Sequence, residues 1–274
     1  MAVKKTKKKL IEGQEYTIDA PKNPGTWQNR VLLFVPNTGN FRVEWVQARY
    51  GQIIPTNWST VESTQILSSF MPIEYQLADA QNLMARSVVE NDFEWIIYIE
   101  SDNIIPPDTF IRFNEYMNEG SVPVVSGLYF TKSDPPEPIL YRGRGNSFYD
   151  DWKLGDKVWV DGIPFGCRLE HASLIKAAWE DAPEYLVGNT ITRRVFDSPN
   201  MRYFDEKKGG MVSKQGTSDL QWCNDIMEKH FEAAGWKDYV GKKNPFLVDT
   251  DIYVKHIDPS GRMYPLEMPE RYIP

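Results

Sequence analysis

The stretch that decides the fold is Trp95-Ile96-Ile97-Tyr98-Ile99-Glu100-Ser101-Asp102-Asn103. Five apolar residues in a row predict a strand that is buried on both faces, which is typical of parallel sheets. The run ends in two carboxylates, Glu100 and Asp102, which an extended chain directs to the same side. Ligands of open parallel sheets bind at the carboxyl ends of the strands. The two acids are therefore candidate ligands of a hard divalent cation; the alternative is a pair of solvated loop acids before a helix.

Apolar runs and helical patterns alternate on both sides of this strand. Residues 31–35 and 122–130 predict further strands, while 41–50, 77–90 and 107–117 predict helices. This alternation indicates a mostly parallel α/β sheet flanked by helices. The second half is less regular and indicates antiparallel additions. The elements predicted there are short strands at 157–160, 168–170, 193–196 and 246–248, and helices at 172–179 and 219–234.

The chain divides into three parts by composition. Residues 1–28 are polar and carry five lysines near the start, so they predict a flexible basic tail. Residues 29–258 hold the predicted strands and helices and form one α/β domain in this interpretation. Residues 259–274 contain four prolines and predict an extension that packs on the surface.

The composition excludes several classes of protein. The net charge of the 274 residues is −7, and without the five lysines of the tail 26 basic residues face 38 acidic ones. An acidic body argues against a protein whose main task is to wrap nucleic acid. The only cysteines, Cys167 and Cys223, form no CxxC pair, which excludes a disulfide scaffold and a cysteine-built zinc site. The apolar runs are too short to cross a bilayer and none follows the first lysines, so we expect a cytoplasmic protein (the host cytoplasm, if viral) without a membrane span.

Further segments resemble one family in the same order along the chain. Residues 78–86, 94–103 and 125–130 resemble nucleotide-sugar-dependent glycosyltransferases of the GT-A fold, a Rossmann-like α/β fold. They are most similar to the broad family-2-like group, which includes phage-encoded members. The resemblance extends from about Arg30 to Asp258. Three later segments are also similar to the family: Gly162-Ile163-Pro164-Phe165-Gly166-Cys167, Thr217-Ser218-Asp219-Leu220-Gln221-Trp222-Cys223 and Asp251-Ile252-Tyr253-Val254-Lys255-His256.

The resemblance implies a role for individual residues. In the family a DxD motif ends the strand; here it stands as Glu100-Ser101-Asp102, with a departure at its first acid. It implies that Asp102 and His256 hold Mn²⁺ or Mg²⁺. It also implies that Asp219 is the general base, although Ser218 replaces the acid that usually precedes it. The residues expected on the donor side are Pro36, Thr38, Arg86, Glu100, Ser101 and Gly166.

Each of these residues also has a structural interpretation. His256 is one of three histidines, and a lone histidine often only fills a core or surface position. Arg86 is either a solvated helix residue or a guanidinium that reaches the diphosphate. Asp219 in a first helical turn complements the helix dipole without any catalytic duty, and that position predicts a lowered pKa.

The resulting hypothesis is a metal-dependent glycosyltransferase. Its donor would be a nucleotide-sugar, UDP- or GDP-linked, and its acceptor a glycan or a modified nucleobase in DNA. One alternative is a non-catalytic nucleotide-sugar or carbohydrate-binding protein on the same fold. The other is a sugar nucleotidyltransferase, which the absence of a glycine-rich phosphate loop followed by Arg or Lys disfavours.

Overall fold

The structure is a computed structural model that describes residues 7–11, 14–17, 30–58, 67–143, 148–206 and 209–274. Its strands carry the labels β1 to β16 in chain order. They are β1 Lys7–Ile11, β2 Gln14–Thr17, β3 Val31–Phe34, β4 Leu67–Phe70, β5 Trp95–Ile99, β6 Asn103–Ile104, β7 Val124–Leu128, β8 Lys157–Val160, β9 Cys167–His171, β10 Glu184–Val187, β11 Thr190–Arg193, β12 Asn200–Asp205, β13 Gly210–Gln215, β14 Phe246–Tyr253, β15 Lys255–Ile257 and β16 Met263–Tyr264.

The helices alternate with these strands mainly in the first half. They are α1 Val43–Tyr50, α2 Leu77–Glu90, α3 Thr109–Glu119, α4 Ser173–Asp181, α5 Ser218–Asp225 and α6 Phe231–Ala233. A π-helical turn, Ile226–His230, joins α5 to α6, so the helix predicted over 219–234 is present with one wider turn. No helix in the described part of the chain is both long and apolar enough to span a bilayer.

A seven-stranded sheet with the order β4-β3-β5-β9-β7-β14-β8 organises the molecule. β4, β3 and β5 are mutually parallel, as are β7 and β14. β9 lies between the two groups and is antiparallel to both of its neighbours. The two groups therefore run in the same direction, and their carboxyl ends share one edge of the sheet.

Both faces of the sheet are covered by helices. Strand residues that alternate along the chain enter opposite hydrophobic clusters, as the period of two requires. Leu32 and Phe34 belong to the cluster that includes α2, α4 and α5, whereas Val31 and Leu33 belong to the cluster that includes α1 and α3. The predicted α/β class, with a mostly parallel central sheet flanked by helices, is thereby confirmed.

The antiparallel additions predicted for the second half are also present. β10 pairs with β11, β12 pairs with β13, and β15 lies between β6 and β16. The strand predicted at 193–196 is displaced in the structure: β11 ends at Arg193. Val195 and Phe196 are buried but follow outside any strand.

The terminal parts contribute structure of their own. In the predicted tail, β1 pairs with β2 in an antiparallel hairpin, and the rest of residues 1–28 falls outside the described residues. In the segment 259–274, β16 joins the small sheet and Tyr272 is completely buried against Trp152, with ring centroids 4.0 Å apart. This segment therefore supplies a core side chain as well as surface. The division of the chain at residues 28 and 258 stays a prediction.

Candidate active site at the carboxyl edge of the sheet

Asp102 and His256 meet where β5 ends. Asp102 follows β5, and the short strand β6 then pairs with β15, which places His256 opposite Asn103. The Ile257 amide donates to the Asp102 carbonyl oxygen at 2.8 Å, which ties the two segments together. His256 Nε2 lies 3.5 Å from Asp102 Oδ2. The structure thus brings together the two residues expected to hold a metal ion.

The backbone fixes the orientation of the His256 ring. Its Nδ1 lies 2.8 Å from the Phe130 carbonyl oxygen, which can only accept, so Nδ1 carries the hydrogen. With Nδ1 engaged, Nε2 is the ring nitrogen that faces Asp102. Tyr129 packs edge-on against the ring, with centroids 5.4 Å apart. Metal-binding histidines are commonly oriented in this way: one ring nitrogen donates to a carbonyl oxygen, and the other faces the ion.

Lys132 is a site residue that the sequence analysis missed. Its ammonium contacts Asp102 Oδ2, the same oxygen that faces His256. Burial alone would raise the pKa of Asp102, but the hydrogen bond and charge of His256, together with Lys132, lower it to about 2. Asp102 is therefore ionised at any physiological pH. No sequence pattern distinguishes a single lysine in an exposed loop, so Lys132 could not be recognised as a site residue from the sequence.

The pair fits a divalent cation in donor type and separation. A carboxylate oxygen and an imidazole nitrogen 3.5 Å apart can share one ion, because bonds from Mg²⁺ to oxygen and from comparable ions to nitrogen are about 2.1 Å long. Among the described residues no group of three or more His, Cys, Asp or Glu side chains is placed to hold a metal.

Glu100 lies beside a small gap in the packing. Its amide donates to the Gly166 carbonyl oxygen at 3.0 Å, and its own carbonyl accepts from Trp45 Nε1 at 2.9 Å. Burial, followed by the charges of Asp102 and Asp219, raises the pKa of Glu100 to about 8. This space is a packing gap too small to admit a water molecule, and it is lined by Phe34, Pro36, Leu77, Gln81, Tyr98, Glu100 and Phe165.

Two polar groups on the wall of this gap lack partners. Both amide atoms of Gln81 and the phenol oxygen of Tyr98 are buried and have no hydrogen-bond partner in the part of the chain that the structure describes. Buried polar atoms of this kind normally have a partner. The amide and the hydroxyl are therefore unsatisfied polar groups at a gap that is closed to water-sized molecules. Sequence analysis placed Gln81 in a family-like segment but assigned it no role.

Asp219 belongs to the same neighbourhood. It lies in the first turn of α5, where its Oδ1 accepts from the Leu220 amide at 2.8 Å, and its charge acts on Glu100 and Tyr129. The pKa of Asp219 is raised by burial, against the lowering by Thr217, the Leu220 amide and Arg168. The sequence-based expectation of a lowered pKa is wrong because loss of solvent outweighs the helix terminus, which contributes only about 0.3–1 kcal/mol.

Gly166 allows the segments that carry Tyr129 and Asn103 to pack closely against the backbone that precedes β9. Its amide donates to the Tyr129 phenol oxygen at 2.7 Å. A Cβ at this position would lie 2.3 Å from that oxygen and 2.5 Å from Asn103 Nδ2. Gly166 therefore sits in the floor of the site, and a side chain there would displace Tyr129 from beside His256.

The remaining predicted residues lie at different distances from this cluster. Pro36 lines the gap with Glu100, and Ser101 lies half-buried in the turn before Asp102. Thr38 is exposed two residues beyond Pro36. Arg86 is engaged elsewhere: its guanidinium donates to Glu90 at 2.7 Å and to the Ile191 carbonyl oxygen at 3.0 Å. The structure does not bring Arg86 to the acidic residues, because its i,i+4 partner and the β11 backbone hold it.

No protein-family model matches the chain, and no curated protein sequence matches it. Among solved structures, A197 from STIV is similar over 85% of this chain and 92% of its own, with 14% identity and a TM-score of 0.48. S. aureus TarS 1–349 in complex with UDP-GlcNAc is similar over 82% of this chain and 57% of its own, with 11% identity and a TM-score of 0.41.

A third solved structure is a putative glucose-1-phosphate thymidylyltransferase from Bacillus anthracis in complex with a sucrose. It covers 56% of this chain and 76% of its own, with 12% identity and a TM-score of 0.32. These similarities all lie below a TM-score of 0.5.

Proposed function

We propose that the protein is a glycosyltransferase that moves a sugar from a nucleoside diphosphate to an acceptor hydroxyl. The observation that supports this proposal is the convergence, at one sheet edge, of the Asp102–His256 pair and a second carboxylate, Asp219. The Asp102–His256 pair suits a cation and the diphosphate, and the Asp219 carboxylate suits proton transfer. The unsatisfied polar atoms of Gln81 and Tyr98 lie at the packing gap that Glu100 also lines.

The diphosphate end of the donor belongs at Asp102. A leaving nucleoside diphosphate gains negative charge, which needs a positive partner. Mn²⁺ or Mg²⁺ held by Asp102 Oδ2 and His256 Nε2 would supply Lewis-acid stabilisation of that charge. Tyr129 and the Phe130 carbonyl oxygen keep His256 oriented, and Gly166 leaves room for Tyr129.

We propose that the nucleoside end binds beside Glu100, where the closed gap has to open to admit it. Gln81 presents both a donor and an acceptor, and Tyr98 a hydroxyl, toward a space bordered by Pro36. A nucleobase has the complementary edge, and the raised pKa of Glu100 lets its protonated carboxyl donate to a ribose hydroxyl. We propose a UDP- or GDP-sugar as the donor.

The chemical step assigns the proton to Asp219. The acceptor oxygen forms a bond to the anomeric carbon while the bond from that carbon to the phosphate oxygen breaks. The nucleoside diphosphate leaves with the electron pair, and the acceptor's proton moves to the Asp219 carboxylate. Burial makes this carboxylate a stronger base than a solvated aspartate, which favours general-base catalysis.

The test is product analysis with a panel of UDP-, GDP-, CMP- and dTDP-sugars, with and without Mn²⁺. Each donor is supplied with an oligosaccharide or with DNA containing hydroxymethylated bases, the two acceptor classes we propose. We expect cation-dependent release of a nucleoside diphosphate, or of CMP from a CMP-sugar, with sugar on one acceptor. Release of pyrophosphate from a nucleoside triphosphate and a sugar phosphate would instead identify a nucleotidyltransferase. Donor binding without turnover on either acceptor would contradict the transferase proposal and leave a binding protein.

A further inference from the structure

Lys132 and the proposed cation would use the same carboxylate oxygen. The Lys132 ammonium contacts Asp102 Oδ2, which also faces His256 Nε2 at 3.5 Å. The other oxygen, Oδ1, accepts from Asn103 Nδ2 at 3.3 Å. An ammonium and a divalent ion on one oxygen repel each other, so each weakens the binding of the other at Oδ2.

The lysine can leave this position without a change in the fold. Thr131 and Ser133, which flank it, hold the loop through a mutual hydroxyl contact, and the Glu137 amide donates to Thr131 Oγ1 at 3.0 Å. These bonds fix the backbone and leave the Lys132 side chain, which is 31% exposed, to turn about its own four-carbon stem. Its charge therefore stays at the site whichever anion it contacts.

We infer that Lys132 is a donor-binding residue whose ammonium pairs with Asp102 until the donor binds. In the free protein its ammonium occupies the cation position. When a cation and the donor bind, the ammonium moves from Asp102 to the diphosphate, whose oxygens replace the lost carboxylate. This inference rests on the proposed function, because it takes the Asp102–His256 pair as the cation site and the diphosphate as its partner.

Two consequences distinguish Lys132 from a structural lysine. A cation without donor must displace the ammonium, so its affinity is low in the wild type and higher when the charge is removed. Donor diphosphate takes up the displaced ammonium, so cation and diphosphate strengthen each other's binding, and by linkage the two effects are equal in size. Removal of the lysine charge weakens this mutual effect.

The first arm of the test titrates Mn²⁺ alone into the full chain by calorimetry. Lys132→Gln should bind Mn²⁺ about 3- to 30-fold more tightly than the wild type, the range expected when one nearby positive charge is removed from a partly exposed site. Lys132→Arg keeps the charge and should restore weak binding. The matched control is Lys176→Gln, since Lys176 is 34% exposed and pairs with Asp92 outside the site; it should behave as wild type.

The second arm repeats the titration with UDP or GDP, whichever nucleotide the wild type binds. The wild type should show a Mn²⁺ affinity that rises with the nucleotide, and Lys132→Gln a smaller rise. Unchanged Mn²⁺ affinity in Lys132→Gln, or no Mn²⁺ binding by any variant, would overturn the inference. Failure of the proposed function has a different signature: no nucleotide binds the wild type, while the Mn²⁺ affinities still separate Lys132→Gln from Lys132→Arg.

Discussion

Glu100 and Asp102 stand two residues apart and have opposite pKa shifts. Asp102 contacts Lys132 and faces His256, so its pKa falls to about 2 although burial opposes this. Glu100 is half-buried, and loss of solvent together with the charges of two nearby acids raises its pKa to about 8. At neutral pH one is a charged acceptor and the other mainly a neutral donor. Environments that push neighbouring pKa values apart are how carboxyl groups take different roles in one site.

Asp219 is tested by a substitution that keeps its shape. Asp219→Asn should leave donor binding intact and lower kcat by about 10² to 10⁴-fold, because the variant cannot accept the acceptor's proton. Asp225→Asn is the control on the same helix, since Asp225 accepts from Gln221 Nε2 at 3.1 Å and lies at the far end of α5. Donor affinity and kcat are measured on one preparation. Turnover by Asp219→Asn within about threefold of the wild type would remove this residue from the mechanism.

Gly166 is tested by the addition of one methyl group. Gly166→Ala places a Cβ 2.3 Å from the Tyr129 phenol oxygen, and overpacking of this kind costs about 1–3 kcal/mol. We expect a lower melting temperature and weaker nucleotide binding, because Tyr129 supports His256. In Gly210→Ala no described atom lies within 4 Å of the new Cβ, and this variant should match the wild type. Equal stability of the two variants would refute the close approach at Gly166.

Among single residues, the sequence predicted the acidic residues of the site and missed the Lys132 ammonium. Asp102 and His256 were expected together, and the structure places them 3.5 Å apart. Lys132 could not be predicted, because only the loop that follows β7 brings it to Asp102. Arg86 was expected at the donor, but its spacing to Glu90 satisfies the guanidinium on the helix itself.

Among the elements, α4 begins on a half-buried histidine, His171. The Ser173 amide donates to His171 Nδ1 at 3.2 Å, and the imidazole packs between Trp95 and Trp236. Nδ1 can accept only when it carries no proton. Burial, with a smaller effect of the Lys176 charge, lowers the pKa of His171 to about 4. The start of α4 therefore depends on a neutral imidazole.

This dependence predicts a loss of stability in acid. His171 has a folded-state pKa below its ordinary 6.5, so the unfolded chain binds the proton first, and the stabilisation present above pH 6.5 is lost as the pH falls toward 4. His171→Asn keeps an acceptor for Ser173 and does not titrate. The free energy of unfolding of the wild type relative to His171→Asn, from urea titrations, should fall by about 1–3 kcal/mol between pH 7.5 and 4.5. A constant difference would show that the pKa of His171 is not lowered.

The elements that the sequence predicted share a strong pattern. β3, β5 and β7 are continuous apolar or small-residue runs buried on both faces, and α2 has an apolar stripe at helical spacing. The strand β4 was missed because Leu67-Ser68-Ser69-Phe70 has a polar centre and no such run. It is a strand because β3 pairs with it along the sheet edge, which is a tertiary effect that local sequence does not contain.

In the whole molecule, the carboxyl-terminal segment packs against a residue that orients His256. Tyr272 stacks on Trp152, and both rings pack against Phe130, whose carbonyl oxygen orients His256. Composition indicated only a surface segment, because four prolines and isolated apolar residues give no periodicity. The buried tyrosine therefore joins the end of the chain to the site.

This connection predicts a large effect of one terminal side chain. Tyr272→Ala removes a fully buried ring and should cost about 3–5 kcal/mol, which lowers the melting temperature by about 10 °C. The neighbouring Ile273 is 49% exposed, so Ile273→Ala should change the melting temperature little. Thermal unfolding of both variants makes the comparison. Equal melting temperatures would mean that the segment does not pack as the structure has it.

Calorimetric titration of nucleoside diphosphates measures whether Asp102 and His256 form the cation and diphosphate site. UDP, GDP, ADP and dTDP are titrated into the wild type, Asp102→Asn and His256→Ala, each with and without Mn²⁺, after circular dichroism has shown that the variants are folded. The account predicts that at least one diphosphate binds the wild type in a Mn²⁺-dependent manner and binds both variants about tenfold or more weakly, a loss of about 1.4 kcal/mol or more. Mn²⁺-dependent binding of equal affinity in all three proteins, or no binding to the wild type, would contradict it.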